Sequence, residues 1–447
     1  MIVPETWKGE PFQNDYNCRK GGDMKITIRK RTQSQWLHWF IFIFPLVCTF
    51  LVYNCHFPSA IRYTLDLAWV LLTVASIHRL GWIIANRKTV LWAAAFFLYA
   101  LVSYVLHYQS VLYFLWGVRN NFRFYLYFLL TIVVLRKADL KSYYKILDVF
   151  LILNVLLVSY QYWVLGISQD LLGGFFGTVT GCNGYMNIFL VIVSAKAVLE
   201  YLHKKKSLGV CMLVFGASVY IAALAEMKFF FAEIFIILAA ASLVTKFSFK
   251  KLGIILGGSI LAIAGVNLLI LVFPNWSDTF SLAGFLRVAT DDRGYTSSGD
   301  LNRLTGVFTL AERYLNSWHE IVFGLGLGNC DYSDAVAALT TPFYTRYSWL
   351  HYTWMSTTFI FVELGIVGLV FFFGFFVLVF FEARKASRKP GANLLACQLA
   401  QVLAVLCWGI GIYNSSLRTE AGYMMYLMLA IPFLVRSNSS NIEKQGD

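Results

Sequence analysis

Long runs of apolar residues, separated by short polar turns, recur along almost the whole chain. A helix crosses the hydrocarbon core of a bilayer with about 20 such residues, in a range of roughly 17 to 25. About twelve such runs can be counted, of which the fourth and the last are short. They cover residues 36–53, 63–84, 89–106, 122–135, 143–166, 185–202, 208–225, 229–245, 252–273, 352–381, 394–413 and 421–435. The pattern predicts an all-α polytopic membrane protein with about twelve transmembrane helices.

The polar intervals divide the chain into five parts. We assign residues 1–35 to a cytoplasmic N-terminal segment, 36–273 to the first nine spans, 274–350 to a long loop, 351–435 to the last three spans, and 436–447 to a cytoplasmic tail. The loop has 77 residues with five arginines and eight acids, so it cannot lie in the membrane as a simple helix. We expect it to be extracytoplasmic and to contain helices.

Composition and charge agree with a membrane protein. Of the 447 residues 58% are hydrophobic and 14% charged, whereas roughly a quarter of the residues are charged in soluble domains. The net charge of +13 would suggest nucleic acid in a soluble protein. With the N-terminus in the cytoplasm, however, a basic cluster falls at every cytoplasmic turn, as membrane topology requires. We therefore expect both termini inside and no nucleic-acid partner.

The outer side of this topology is rich in arginine rather than lysine. Lys228 is the one lysine there, against nine arginines: Arg62, Arg119, Arg123, Arg287, Arg293, Arg303, Arg313, Arg346 and Arg418. A guanidinium group binds phosphate oxygens with a planar fork and stays charged in a low-dielectric setting. This bias predicts an anion site at the outer mouth of the bundle.

The long loop carries two patterns. Apolar residues at three-and-four spacing predict one amphipathic helix over 301–323, with Arg303 and Arg313 within roughly 80° of each other and able to face one ligand. Gly324-Leu325-Gly326-Leu327-Gly328-Asn329 follows. Such a run can offer backbone N–H groups to a phosphate, but no strand precedes it and no Gly-Lys-Ser/Thr follows, which favours a simple turn.

An ionisable pair lies around the start of the tenth span. His351 closes the loop beside aromatic residues, so it is either a residue of the interfacial belt or a catalytic base. Glu363 lies twelve residues later, about 18 Å along a continuous helix, too deep to touch His351 directly. A carboxyl group in a span is a functional candidate by default, and Glu363 can also serve as a packing or charge partner within the bundle.

Two further turns add charge at the outer side. Arg119 and Arg123 are expected at the outer end of the fourth span, and Glu226 and Lys228 in a tight turn before the eighth. The Lys228–Glu226 pair either neutralises itself or lends its lysine to a ligand. A lipid-linked sugar diphosphate suits such a mouth, because fixed cations stabilise the leaving diphosphate and a histidine can accept the proton of an attacking hydroxyl. No Asp-x-Asp metal clamp is apparent, so the arginines are expected to replace a metal, and no cofactor is expected.

The chain resembles the O-antigen polymerase (Wzy) and O-antigen ligase family over nearly its whole length. The shared features are about twelve spans with one late outer loop, the arginine-bearing segment that ends in the glycine turn, and His351 before Glu363-Leu364-Gly365-Ile366-Val367-Gly368. Lys228 stands at the start of the eighth span, and Arg313 to Gly324 fits the R-x10-G spacing of some members. Tyr352 replaces an asparagine of many relatives, and Lys228 replaces the arginine of ligases, which favours a polymerase.

The resemblance implies metal-independent glycosyl transfer at the outer face of the bacterial inner membrane. A polyprenyl-diphosphate-linked glycan donates its reducing end to a second lipid-linked repeat unit, which extends an O-antigen, capsule or exopolysaccharide. His351 is implied as the catalytic base, and Arg303, Arg313 and Lys228 as diphosphate ligands, to which we add Arg119 and Arg123. Expected supporting residues are Glu363, Gly324, Gly326, Gly328 and Tyr352. Expected partners are the donor and acceptor glycolipids, membrane lipid and, where one exists, a chain-length regulator.

Three alternatives stay open at the level of sequence. The first is ligase-type transfer to another acceptor. The second is a lipid-linked oligosaccharide flippase or other transporter, which would place its charges inside helices of two repeated halves. The third is a structural or regulatory membrane protein, in which the loop arginines are ordinary surface residues.

Overall fold

The computed structural model describes residues 32–79, 87–107, 109–246, 249–276, 299–333 and 336–434. This part of the chain is helical and contains no strand. The helices before the loop are α1 (Gln33–Tyr53), α2 (Thr64–Ser76), α3 (Arg87–Leu106), α4 (Val111–Val134), α5 (Leu140–Trp163), α6 (Cys182–Leu202), α7 (Leu208–Leu224), α8 (Lys228–Val244) and α9 (Lys250–Val272). The loop contains α10 (Gly306–Arg313), α11 (Trp318–Phe323) and α12 (Pro342–Tyr347), followed by α13 (Ser356–Ser387), α14 (Leu394–Tyr413) and α15 (Gly422–Ala430).

The helices confirm a polytopic α-helical membrane protein. A helix lies at each of the twelve predicted positions, and eight helical stretches of the described chain are long and apolar enough to cross a bilayer. The other four are α4, which carries two arginines, and the shorter α7, α8 and α15. The expected N-terminal segment up to residue 31, the tail, Arg287 and Arg293 lie outside the described residues.

The fourth span, at whose outer end Arg119 and Arg123 were expected, begins earlier than predicted. That span was expected from residue 122, whereas α4 begins at Val111, so both arginines lie inside the helix. The apolar residues that precede Arg119 continue the helix, and carboxylates from other helices compensate the two charges, as described below.

The bundle is organised around α6 and α15. Every residue of α6 from Met186 to Tyr201 is buried, as is every residue of α15. The helices α3 and α9 lie at the periphery and expose aliphatic side chains such as Leu98, Val105 and Ile260, as expected of lipid-facing surfaces. For helices that are apolar on all sides, the neighbouring helices rather than their own amphipathicity thus decide whether they lie inside the bundle or face lipid.

Charged side chains are also buried away from the loop. The ammonium group of Lys196 on α6 lies 2.5 Å from Asp148 and 3.4 Å from Glu200, and Lys206 contacts both carboxylates. His38 on α1 is held by Tyr143 at 2.7 Å and by Thr131 at 3.0 Å. These groups have their polar partners within the bundle, which is the usual condition for burial of an ionisable side chain.

The glycine turn after α11 packs on a break in α13. Gly365 has φ +64° and ψ −162°, which interrupts the helical hydrogen bonds at that point. The N–H groups of Leu325 and Gly326 donate to the carbonyls of Val362 and Glu363, at 2.8 and 2.9 Å. The N–H of Gly328 donates to the Glu363 carboxylate at 2.9 Å. The turn interpretation of the glycine run is confirmed, and these N–H groups are bonded within the protein rather than offered to a phosphate.

The interpretation of Glu363 as a partner within the bundle is also confirmed. One carboxylate oxygen accepts the Gly328 N–H, and the residue is 1% exposed. The Tyr99 hydroxyl on α3 donates a hydrogen bond to the Leu364 carbonyl at 2.7 Å. Helix α3 thus also contacts the chain at the break in α13. The segment Glu363-Leu364-Gly365 therefore fixes the loop to the bundle.

The predicted single helix over 301–323 is wrong. The structure has two short helices, and the chain leaves α10 at Tyr314, where Leu315 N–H bonds back to the Leu310 carbonyl. Ser317 then caps α11 by accepting the N–H of Glu320. Three residues of the predicted apolar stripe, Leu301, Leu310 and Leu315, are buried in one cluster. They do not lie on one continuous helix, because the chain bends between them.

Replacement of Gly365 by alanine is expected to destabilise the protein by several kcal/mol, because it combines backbone strain with a steric clash in the core. A Cβ atom there would lie 2.3 Å from the Val322 carbonyl oxygen and would also require a positive φ. The measurement is the thermal unfolding temperature in detergent. Gly216→Ala is the matched control, since nothing lies within 4 Å of its added Cβ atom. Equal unfolding temperatures for the two variants would contradict the account of this turn.

Candidate functional site

A cavity of about 430 Å³ opens at the end of the bundle where α1 and α14 end and where α13 and α15 begin. Its lining combines charged and aromatic side chains from distant parts of the sequence. The charged ones are Arg62, Arg119, Arg123, Arg418, Asp331 and Glu420. The aromatic ones are Tyr53, Tyr63, Trp116, Tyr332, Trp354 and Phe359. Four arginines and two carboxylates thus line one cavity.

One turn of α4 carries two of these six charged residues, Arg119 and Arg123. Arg119 makes a bidentate contact with Asp66 of α2, with its Nη2 atom 2.7 Å from Oδ2. Arg123 lies 3.5 Å from both Asp66 and Glu420 and is 4% exposed. The two predicted ligands Arg119 and Arg123 are thus brought together, but each is paired with a carboxylate of the protein.

The two asparagines between these arginines complete the network. Asn120 donates to the Asp331 carboxylate at 2.6 Å and accepts from Arg119 at 2.6 Å. Asn121 accepts from the Nε atom of Arg418 at 3.0 Å. The segment Arg119-Asn120-Asn121-Phe122-Arg123 therefore orients charged residues from three other parts of the chain. Below, it is called the α4 hub.

Two arginines of the cavity make no ion pair within the described chain. Arg418 is held by Asn121 and by the face of Phe359, with its guanidinium carbon 3.6 Å from the ring centroid. Arg62 donates to the hydroxyl of Tyr53 at 2.9 Å. Neutral partners thus orient both guanidinium groups, and the nearest carboxylates among the described residues act on them from beyond ion-pair distance.

The two carboxylates that line the cavity differ in their surroundings. Glu420 accepts a hydrogen bond from the Tyr185 hydroxyl at 2.5 Å and lies beside Arg123. Although burial alone would raise it, the charge of Arg123 and the bond from Tyr185 lower the pKa of Glu420 to about 2. Asp331 has no ion pair within 4 Å among the described residues, and burial raises the pKa of its carboxyl group.

Arg303 lies next to Tyr413 at the end of α14, Lys228 begins α8, and neither cation lines the cavity. Arg303 donates to the Tyr413 carbonyl, and its guanidinium carbon lies 4.5 Å from the centroid of that ring. Phe229 stacks on the same ring at 4.5 Å. Lys228 pairs with Glu226 at 3.0 Å, so the mutual neutralisation weighed from the sequence is present. A ligand role for either cation stays a prediction.

His351 lies one ring away from the cavity. Its imidazole stacks on Trp354, with 3.8 Å between the ring centroids, and Trp354 lines the cavity. The Nδ1 atom of His351 is buried and has no hydrogen-bond partner among the described residues. The backbone of His351 is left-handed, with φ +53°, which ends one 3₁₀ turn and begins the next. Its role as a base stays a prediction.

The remaining predicted residues lie elsewhere. Arg313 is exposed at the end of α10, and Arg303 precedes that helix. The two arginines are therefore not on one face of a single helix, contrary to the prediction from the sequence. Tyr352 is fully buried and donates to the Cys330 carbonyl at 2.6 Å. It supports the loop, as do Gly324, Gly326 and Gly328.

Sequence reasoning missed the residues that complete the cavity. Arg62 and Arg418 were noted as outer arginines but not as ligands, and Asp66, Asp331 and Glu420 were not noted as their neighbours. The available signal was the pair of asparagines between Arg119 and Arg123, because amides between charged residues often orient them. No protein-family model matches the chain, and no curated protein matches it.

Proposed function

We propose that this protein is a polysaccharide polymerase that joins polyprenyl-diphosphate-linked repeat units by metal-independent glycosyl transfer. The observation that carries the proposal is the pair of oriented guanidinium groups of Arg62 and Arg418, which make no ion pair with any described residue, in a cavity of about 430 Å³. A diphosphate offers several anionic oxygens to such forks. A membrane-embedded chain meets that anion most readily on a lipid.

The chemistry follows from the charges of the cavity. In the transfer the anomeric C–O bond of the donor breaks and the diphosphate leaves with the bonding electrons. Arg62 and Arg418 stabilise the charge that develops on the leaving oxygen, and fixed cations do this well because they need no reorganisation during the reaction. Arg119 and Arg123 contribute less to the ligand, since Asp66 and Glu420 already compensate them.

In this proposal the bundle has about twelve spans, with both termini in the cytoplasm and the cavity at the outer face of the bacterial inner membrane. The long loop and the aromatic lining of the cavity then face the glycan. Aromatic rings such as Trp116 and Tyr332 offer flat apolar faces of the kind that pack against sugar rings. Transfer to a different acceptor, as in a ligase, uses the same donor half of the site.

The proposal is tested by incubating the purified protein in liposomes with lipid-linked repeat units from a strain that lacks the gene. We expect a ladder of polymer in the presence of EDTA, because arginines rather than a metal hold the diphosphate. A single transfer to a non-lipid acceptor would favour a ligase. Movement of the glycolipid between leaflets without any new glycosidic bond would favour a flippase and contradict the proposal.

A further inference from the structure

We propose that the Asp331 carboxylate is the base that takes the proton of the acceptor hydroxyl in this transfer. The inference rests on the proposed function, and it names a catalytic residue that neither the sequence nor the family resemblance indicates. Asp331 lines the cavity together with Arg62 and Arg418, so it faces the space where donor and acceptor must meet.

The geometry separates Asp331 from the other carboxylates of the site. Asp66 is bound by Arg119 and Arg123, and Glu420 by Arg123 and Tyr185. Asp331 accepts only neutral donors within the described chain: Asn120 at 2.6 Å and the backbone N–H of Tyr332 at 2.8 Å. These two bonds fix the orientation of the carboxylate and leave lone pairs for a ligand hydroxyl.

The step balances with these groups alone. The acceptor oxygen forms a bond to the anomeric carbon of the donor, and the bond between that carbon and the diphosphate oxygen breaks. The bonding electrons leave with the diphosphate, and the acceptor proton passes to Asp331, which later returns it to water. Because one displacement occurs on one face of the sugar, the new linkage has the anomeric configuration opposite to that of the donor.

The electrostatic setting agrees with a base. Burial raises the pKa of the Asp331 carboxyl group, whereas Arg418, the bonds from Tyr332 and Asn120, and Arg119 act in the opposite direction. Titratable groups also face it from the other packed elements: Glu363 of α13, Tyr352 and the neighbouring Cys330. A carboxylate whose pKa is shifted towards neutrality accepts a proton more effectively than one held strongly acidic. Glu420, with its pKa of about 2, is the contrasting case.

The alternative base is His351, whose ring lies behind Trp354 rather than on the cavity surface. For His351 to act, Trp354 would have to move or the acceptor would have to enter from another side. Asp331 requires neither, since it lies on the cavity wall and is already oriented by Asn120.

The test uses the same liposomes and lipid-linked repeat units with four variants. Asp331→Asn keeps the size of the side chain, and we expect it to slow polymer formation by about 100-fold or more. Binding of polyprenyl diphosphate, measured as a rise in unfolding temperature, should be unchanged or stronger because a negative charge is removed. Glu312→Gln, an exposed carboxylate of α10, is the matched control and should keep the wild-type rate. His351→Gln should stay within about tenfold of wild type.

The outcomes distinguish the two proposals. If the wild-type protein forms a ladder and Asp331→Asn does so within threefold of its rate, only the role of Asp331 is refuted. Loss of transfer in His351→Gln together with an active Asp331→Asn would assign the base to His351. A wild-type protein without transfer would overturn both proposals. If Asp331→Asn does not fold, Asp331→Ser decides, and a folded Ser variant with the wild-type rate would overturn the inference, because it has no carboxylate to accept the proton.

Discussion

Replacement of Arg418 by lysine is expected to lower the rate of polymer formation by about 100-fold or more, the size of effect seen when one donor to a developing anion is lost. The guanidinium group makes two contacts that an ammonium group cannot reproduce together: the bond from Nε to Asn121 and the stacking on Phe359 at 3.6 Å. Lysine also lacks the planar fork that binds two phosphate oxygens at once. The measurement is the initial rate with purified lipid-linked repeat units.

Arg346→Lys is the matched control for this variant. Arg346 is an exposed arginine at the end of α12 whose guanidinium lies over the neighbouring Tyr347 ring. We expect it to keep the wild-type rate. A rate within threefold of wild type for Arg418→Lys, in a protein with a normal unfolding temperature, would show that Arg418 does not hold the leaving group.

Replacement of Asp66 by asparagine is expected to destabilise the fold by about 3 to 5 kcal/mol, the usual cost of removing one partner of a buried ion pair. Asp66 faces both Arg119 and Arg123, and the Arg123 side chain is only 3% exposed. Without the carboxylate, two guanidinium charges would stay close together, and among the described residues only Arg123 would keep a carboxylate in ion-pair contact, that of Glu420. Denaturation in mixed detergent micelles gives the free energy of unfolding.

Asp139→Asn provides the comparison. Asp139 pairs with Arg136 at 3.2 Å in a more accessible i,i+3 contact, for which a change of about 0.5 kcal/mol or less is expected. The double variant Asp66→Asn with Arg119→Gln should recover part of the loss, since it removes one of the unpaired charges. Similar effects for Asp66→Asn and Asp139→Asn would mean that the α4 hub contributes no more than a surface ion pair.

Sequence periodicity located the helices because each apolar run is long and bounded by polar turns. It failed before residue 122, because the charge of Arg119 and the two asparagines made the predicted fourth span begin too late. The chain tolerates both arginines of α4 inside the helix because Asp66 and Glu420 lie opposite them. Such compensation depends on tertiary contacts across 53 and 297 positions of sequence, which no local pattern reveals.

The clustering of arginines at one end of the bundle was predicted from the sequence, but most of the residues that line the cavity were not. The excess of arginine over lysine on one side indicated an anion site, and Arg119 and Arg123 do line the cavity. The helical phase that joined Arg303 to Arg313 was misleading, because the stripe of apolar residues belongs to two helices that change direction at Tyr314. The glycine turn was predicted correctly because its flanks lacked the strand and the lysine of a phosphate loop.

The concentration of contacts in the α4 hub affects how substitutions at this site must be interpreted. Each polar residue of the hub positions a charged side chain of another helix or loop. A substitution of any one of them therefore also shifts side chains that were not themselves substituted. Single substitutions will therefore give similar defects whether the residue binds the glycolipid or only positions a residue that does. Pairs of exchanges, compared for departures from additivity, are needed to separate the two classes.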